Sequence, residues 1–192
     1  LVILRDEHDF RNLSHFLLDS LPRLLLLLEH RPELARRAFF LCGPERRPVH
    51  DVVLAALAAR FRLDPARFIF PSGRIRLRPA GPVWGFSDQH PRFPPAFGAH
   101  PAMVGPLRRF LALLPGEPEP GPPLRLFVSR RDAAKRRLVN EAEILPLLAP
   151  LGFRPVALAE LPLPRQFALM RAAEAVIGPH GAGFAHLALH PG

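Results

Sequence analysis

A chain of 192 residues, 48% hydrophobic, can bury one good core or two small lobes. Its net charge of +9 rests on scattered arginine pairs at 36–37, 46–47, 108–109, 130–131 and 136–137. Lys135 is the one lysine among 26 basic residues, a pattern that fits compositional bias at least as well as a nucleic-acid footprint. The single cysteine, Cys42, excludes an internal disulfide and a multi-cysteine zinc site, and no apolar run approaches the ~20 residues that span a bilayer.

Residues 12–21 predict a helix, which Pro22 kinks or restarts and which continues to about 30. At about 100° per residue, Leu13, Leu17, Leu21, Leu24 and Leu28 form one core-facing stripe. Asn12, His15 and Asp19 gather on the other side, where His15 and Asp19, at i,i+4, can touch. On an isolated helix this reads as a polar face with a cap at Asn12. Facing a cleft, the same pair can deprotonate a hydroxyl.

Residues 37–41 predict a strand ending at Gly43, with Cys42 an inert buried thiol. Residues 49–61 predict an amphipathic helix with Asp51 near its positive end, and 67–70 a second strand closed by Pro71, Ser72 and Gly73. The Pro-, Gly- and aromatic-rich stretch 74–104 reads as a long, partly ordered connection carrying one or two strands near 76–84 and acceptor-facing loops. A helix over 104–114 closes an amino-terminal α/β lobe, 1–114. The run PGEPEPGPP at 115–123 is a linker.

The second lobe, 124–192, alternates strand (124–129), helix (140–151), strand (154–157), helix (164–173), strand (175–178) and helix (184–189). This alternation implies a parallel sheet covered on both faces, with ligands at the carboxyl ends, where the loops after Ser129 and Gly178 converge. The turn Pro179–Gly183 breaks from strand into helix through glycines. It leaves unpaired N–H groups at a positive helix end, a place that favours an anion such as a diphosphate, and His180 there can donate a hydrogen bond or a proton. The loop 129–140 carries Arg130, Arg131, Lys135, Arg136 and Arg137, whose guanidinium groups suit phosphate oxygens. A functional role is favoured for Arg130, plain solvation for Arg131 and Lys135. Asn140 and Glu143 have capping-box spacing, and capping is at least as good a reading as ligand contact.

Other signals are weaker. DEHD at 6–9 reads as a charged turn rather than a metal site, and His186 and His190, at i,i+4, lack a third ligand. P-loop, dinucleotide-turn and nucleophile-elbow motifs are absent, as is a D-x-D pair.

Taken together, N-L-x-H-F-x-x-D-x-L-P (12–22), S-R-R…R-R-x-x-N-E (129–141), L-P…Q (161–166) and I-G-P-H-G-A-G (177–183) resemble the family-61 glycosyltransferases over nearly the whole chain. Bacterial members are often labelled capsular polysaccharide biosynthesis proteins. The resemblance implies an α/β fold of two Rossmann-like lobes in a GT-B-type architecture, here incomplete. Family members continue past Pro191–Gly192 into a strand with an acidic residue, and the amino-terminal lobe looks short. It also implies a nucleotide-sugar donor, a glycan or polysaccharide acceptor, inversion at the anomeric carbon, no metal and no cofactor beyond the donor. The missing D-x-D agrees with metal independence.

On this pattern the donor diphosphate lies between Arg130 and Arg136 or Arg137 on one side and His180, Gly181 and Ala182 on the other. Asn140 and Glu141 contact the nucleoside. Asp19, oriented by His15, or the reverse, is the base from the acceptor lobe. No nucleic-acid partner is expected, membrane association is expected only indirectly, and the expected location is cytoplasmic, at the inner face of the membrane. Two alternatives stand beside this reading: a non-catalytic nucleotide-sugar or glycan-binding module, and a basic nucleic-acid binder.

Overall fold

The computed structural model describes residues 1–4, 12–85, 101–118 and 120–190. The charged run at 6–9 and the stretch 86–100 of the long connection lie outside them. The chain divides into two compact units, Leu1–Leu113 and Leu114–Gly192. Both are α/β with a parallel sheet, compatible with a Rossmann-like fold.

The first unit opens with β1 (Val2–Ile3). A continuous helical stretch follows: α1 (Leu13–His15), a π turn (Phe16–Ser20) and α2 (Leu21–His30). Asn12 caps α1, its side-chain oxygen accepting from the Ser14 N–H at 3.0 Å. The bend expected at Pro22 takes the form of the π turn, in which the Leu21 N–H bonds Phe16 O, five residues back. Proline has no N–H to give and its ring crowds the carbonyl four residues earlier, so a wider turn ahead of it relieves the clash. Leu17, Leu21, Leu24 and Leu28 are buried, as the stripe requires, and Leu13 is half-buried.

The strand expected from residue 37 begins later, because 32–37 is α3 (Pro32–Arg37). Its helix signals are local: Pro32 in the first turn, Glu33 at the positive end, Arg36 and Arg37 at the negative end. Then come β2 (Phe40–Leu41), α4 (Pro48–Phe61), β3 (Phe68–Ile69), β4 (Trp84–Gly85) and α5 (Pro101–Leu111), which starts three residues before the expected helix. The sheet runs β3-β2-β1-β4, all parallel, with Val2 opposite both Phe40 and Trp84.

The second unit holds β5 (Leu124–Val128), α6 (Glu141–Leu148), β6 (Phe153–Val156), α7 (Leu163–Ala172) and β7 (Ala173–Ile177). The sheet order is β6-β5-β7, all parallel. Leu126, Phe127 and Val128 of the central strand pack in a core with Phe167, Met170 and Leu189 all buried. Arg171 anchors the start of the linker, donating to Leu114 O at 2.8 Å and Gly116 O at 2.7 Å. The last expected helix is present as a 3-10 helix, Ala182–Leu189, which starts two residues early. In that geometry residues three apart eclipse and residues four apart do not, so His186 and His190 do not form a ligand pair. Among the described residues no helix is long and apolar enough to cross a membrane.

Candidate functional site

In the second unit β5 lies between β6 and β7, so strand order reverses at its carboxyl end, where open α/β sheets hold ligands. Two loops leave there. The first starts at buried Ser129, whose hydroxyl donates to Glu141 Oε1 at 2.7 Å and accepts from the Arg131 N–H at 3.1 Å. That pair of bonds closes the loop onto the start of α6. The second loop leaves β7 through Gly178, at φ +154°, where a Cβ would lie 2.5 Å from the Val128 carbonyl oxygen. Only glycine lets the chain pass this close to the neighbouring strand.

Two arginines join the loops. The Arg130 guanidinium donates from Nη2 to Lys135 O at 3.1 Å and lies against Gly181, so that a side chain at 181 would run into it. Its Nε is buried and, among the described residues, has no hydrogen-bond partner. Arg136 adopts φ +60°, an uncommon backbone for a non-glycine residue, and its Nη1 meets His180 Nδ1 at 2.8 Å. A guanidinium only donates, so Nδ1 accepts and the imidazole proton sits on Nε2. The structure thus brings together Arg130, Arg136, His180 and Gly181, with Ala182 opening the 3-10 helix, whose first N–H groups have no partner within it. Arg137 is exposed and makes no hydrogen bond among the described residues. The cluster combines two cations, an imidazole N–H and backbone donors, all suited to an anion.

Two expectations for this loop are corrected. Arg131 is not merely solvated: it donates to both Glu160 oxygens, at 3.1 and 2.6 Å, and this contact lowers the Glu160 carboxyl below its ordinary value. With Asp132 accepting from the Ala159 N–H at 3.3 Å, the pair pins the loop after β5 to the one after β6. The capping box is also not formed. Asn140 stands at the N-cap position of α6 but, at φ −106° and ψ 30°, its side chain makes no capping bond. Glu141, not Glu143, makes the local polar contact, through Ser129.

In the first unit a second group of side chains gathers at the carboxyl ends of the strands. His15 Nδ1 lies 2.7 Å from Asp19 Oδ2, and the two side chains are 40% and 34% exposed. Ser20 donates to Leu4 O at 3.3 Å, tying the π turn to the end of β1. Against Phe16, the residue that follows His15, lies His50, which sequence reasoning missed. It is 1% exposed, with Nδ1 accepting from the Arg47 N–H at 2.9 Å. Its ring meets Phe16 edge-on at 4.5 Å and lies 5.8 Å from Phe70. Burial, and then the Arg47 cation, push its pKa down from 6.5 to about 4, so it is neutral at pH 7. A signal existed: Pro48 begins α4, which puts His50 at the third helical position, where a side chain reaches back to the cap.

Cys42, His186 and His190 are placed as packing residues. Cys42 is buried and its thiol is pushed up to about 12. His186 is buried with Nδ1 3.0 Å from Gly183 O, and burial lowers its pKa; His190 Nε2 lies 2.6 Å from Ala173 O. Among the described residues no three His, Cys, Asp or Glu side chains gather as metal ligands would.

The family model for Glycosyltransferase 61 matches residues 13–191, which includes both groups of side chains. No curated protein and no solved structure matches the chain significantly. The chain belongs to glycosyltransferase family 61 and is a glycosyltransferase.

Proposed function

We propose that this glycosyltransferase moves a sugar, with inversion and without a metal, from a nucleotide-sugar to a hydroxyl of a glycan or polysaccharide. In this reading the lobes follow a GT-B plan, with unit Leu1–Leu113 serving the acceptor and unit Leu114–Gly192 the donor. The observation that carries it is the joining of Arg130, Arg136 and the His180–Gly181 turn at the carboxyl ends of β5 and β7. The donor diphosphate gains negative charge as its bond to the anomeric carbon lengthens. Two guanidinium groups, the His180 Nε2–H and the first N–H groups of the 3-10 helix are aimed to take up that charge. Asn140 and Glu141, at the start of α6, are assigned to the nucleoside, with Glu141 offering the oxygen that Ser129 leaves.

On the acceptor side, the His15–Asp19 pair supplies the base. The acceptor hydroxyl gives its proton to Asp19, or to His15 with Asp19 holding the ring. The acceptor oxygen bonds to the anomeric carbon on one face, and the diphosphate leaves from the other with the bonding electrons. One displacement inverts the configuration. The motif likeness to bacterial capsular polysaccharide proteins supports a surface polysaccharide as acceptor and work on the cytoplasmic side of the membrane, reached through a partner.

A thermal-shift titration with nucleoside diphosphates and nucleotide-sugars, with and without divalent metal, tests the donor site. A saturable shift that needs no metal and is lost in Arg130→Ala is expected. No shift from a well-folded sample overturns the donor site, and donor binding without transfer or donor hydrolysis reduces the protein to a binding module.

A further inference from the structure

Residues 129–140, which carry Arg130 and Arg136, form neither helix nor strand. A segment held only by turns moves easily, and ordering it around a ligand weakens binding. Part of what holds this one comes from a third loop, the one after β6. That loop is a single 3-10 turn, Leu158–Glu160, and its base is fixed because Ala157 and Leu158 are buried.

The turn reaches both halves of the donor site. Towards the loop after β5, Glu160 accepts from Arg131 Nε at 3.1 Å and Nη2 at 2.6 Å, and the Ala159 N–H bonds Asp132 Oδ2 at 3.3 Å. Towards the turn after β7, Leu158 lies so near Gly183 that a Cβ there would be 3.1 Å from Leu158 Cδ1. Arg130 therefore stands between two held neighbours, Ser129 bonded to Glu141 and Arg131 bonded to Glu160. Its own carbonyl accepts from the Ala133 N–H at 2.9 Å, which closes a turn over the same residues.

Stability does not account for the Arg131–Glu160 pair. The two side chains are 58% and 52% exposed, and ion pairs so open to water add little to folding. Charge does not account for it either, because a carboxylate beside an anion site repels the anion. What the pair does supply is orientation: two hydrogen bonds between one guanidinium and one carboxylate fix the angle as well as the distance.

We propose that Glu160 is a positioning residue of the donor site: by clamping Arg131 it fixes the neighbouring Arg130 beside the His180–Gly181 turn, so that a diphosphate meets a cation already in place. The inference rests on the donor-site reading given above. Arg131 is then the handle of the clamp and touches no phosphate.

Inorganic pyrophosphate, the diphosphate alone, is titrated into the full chain by calorimetry. Glu160→Gln removes a negative charge near an anion site, so charge by itself predicts tighter binding, whereas a lost clamp predicts weaker binding. Affinity is expected to fall about threefold to tenfold, the effect of having to order one or two side chains on binding. Arg131→Ala should lose as much, and the double variant no more than either, because both substitutions remove one contact. The Tm of each variant should stay within about 4 °C of the parent, as for any exposed pair. Tighter or unchanged binding in Glu160→Gln, additive losses in the double variant, or a larger fall in Tm overturns the clamp alone. A parent chain that binds no pyrophosphate overturns the donor site, and the clamp with it.

Discussion

Arg136 Nη1 lies 2.8 Å from His180 Nδ1, across 44 residues of sequence, and that bond decides which imidazole nitrogen carries the proton. His180 therefore turns a donor, Nε2–H, towards whatever the site holds. Arg136→Ala removes a cation and frees the imidazole to choose the other tautomer. Affinity for a nucleoside diphosphate, measured by calorimetry, should fall about tenfold to a hundredfold, the value of a charged hydrogen bond of about 1.5–3 kcal/mol. Unchanged affinity would remove both residues from the donor site.

Asp19→Asn keeps the size and the polar contact with His15 but cannot take a proton. Transfer should drop by about a hundredfold or more, the usual worth of a positioned base, while donor binding stays within about twofold. Arg130→Ala should do the reverse, weakening donor binding first. Two silent substitutions would sink the assignment.

The glycines on either side of His180 should fail in different ways. Gly178→Ala places a Cβ 2.5 Å from the Val128 carbonyl at φ +154°, where only backbone movement relieves the clash. It should cost about 1–3 kcal/mol, visible as a lower Tm. Gly181→Ala meets the Arg130 guanidinium first, the far end of a flexible side chain, so Tm should hold while donor affinity falls. Loss of stability in both would mean that this turn serves packing alone.

His50 makes the fold acid-sensitive. Its pKa is about 4 in the folded chain and 6.5 when freed, so the unfolded state binds the proton more readily. The stability this contributes is fully present above pH 6.5 and is lost as pH falls through about 4. At most it amounts to about 3 kcal/mol. Buried His186, also lowered, adds in the same direction. Asparagine can still accept from the Arg47 N–H, so His50→Asn should fold and should show a smaller drop in Tm between pH 7 and pH 5. An undiminished drop would place the acid sensitivity elsewhere.

Local features were open to sequence reading because their causes are local. The leucine stripe from Leu17 to Leu28, the cap at Asn12, the strand at 124–128 and the glycine turn after β7 follow from spacing, capping chemistry and backbone freedom within a few residues. The four motifs led to the family for the same reason: each is a short run whose residues act near one another in the chain.

Other outcomes depended on which distant segments met. Nothing near Arg131 shows that Glu160 will pair with it, and nothing near Asn140 shows that Ser129 will engage Glu141 in place of a capping box. Helix periodicity marks His50 as one more position on an amphipathic surface. Only packing against Phe16 and Phe70 buries it and keeps it neutral. The order β6-β5-β7 is likewise a matter of long-range pairing, and it is what brings the loops after β5 and β7 together. The sequence by itself therefore determined the kinds of group available for binding an anion and moving a proton. The tertiary structure decided which of them share a site, because hydrogen-bond partners far apart in the chain are selected by strand order and not by spacing.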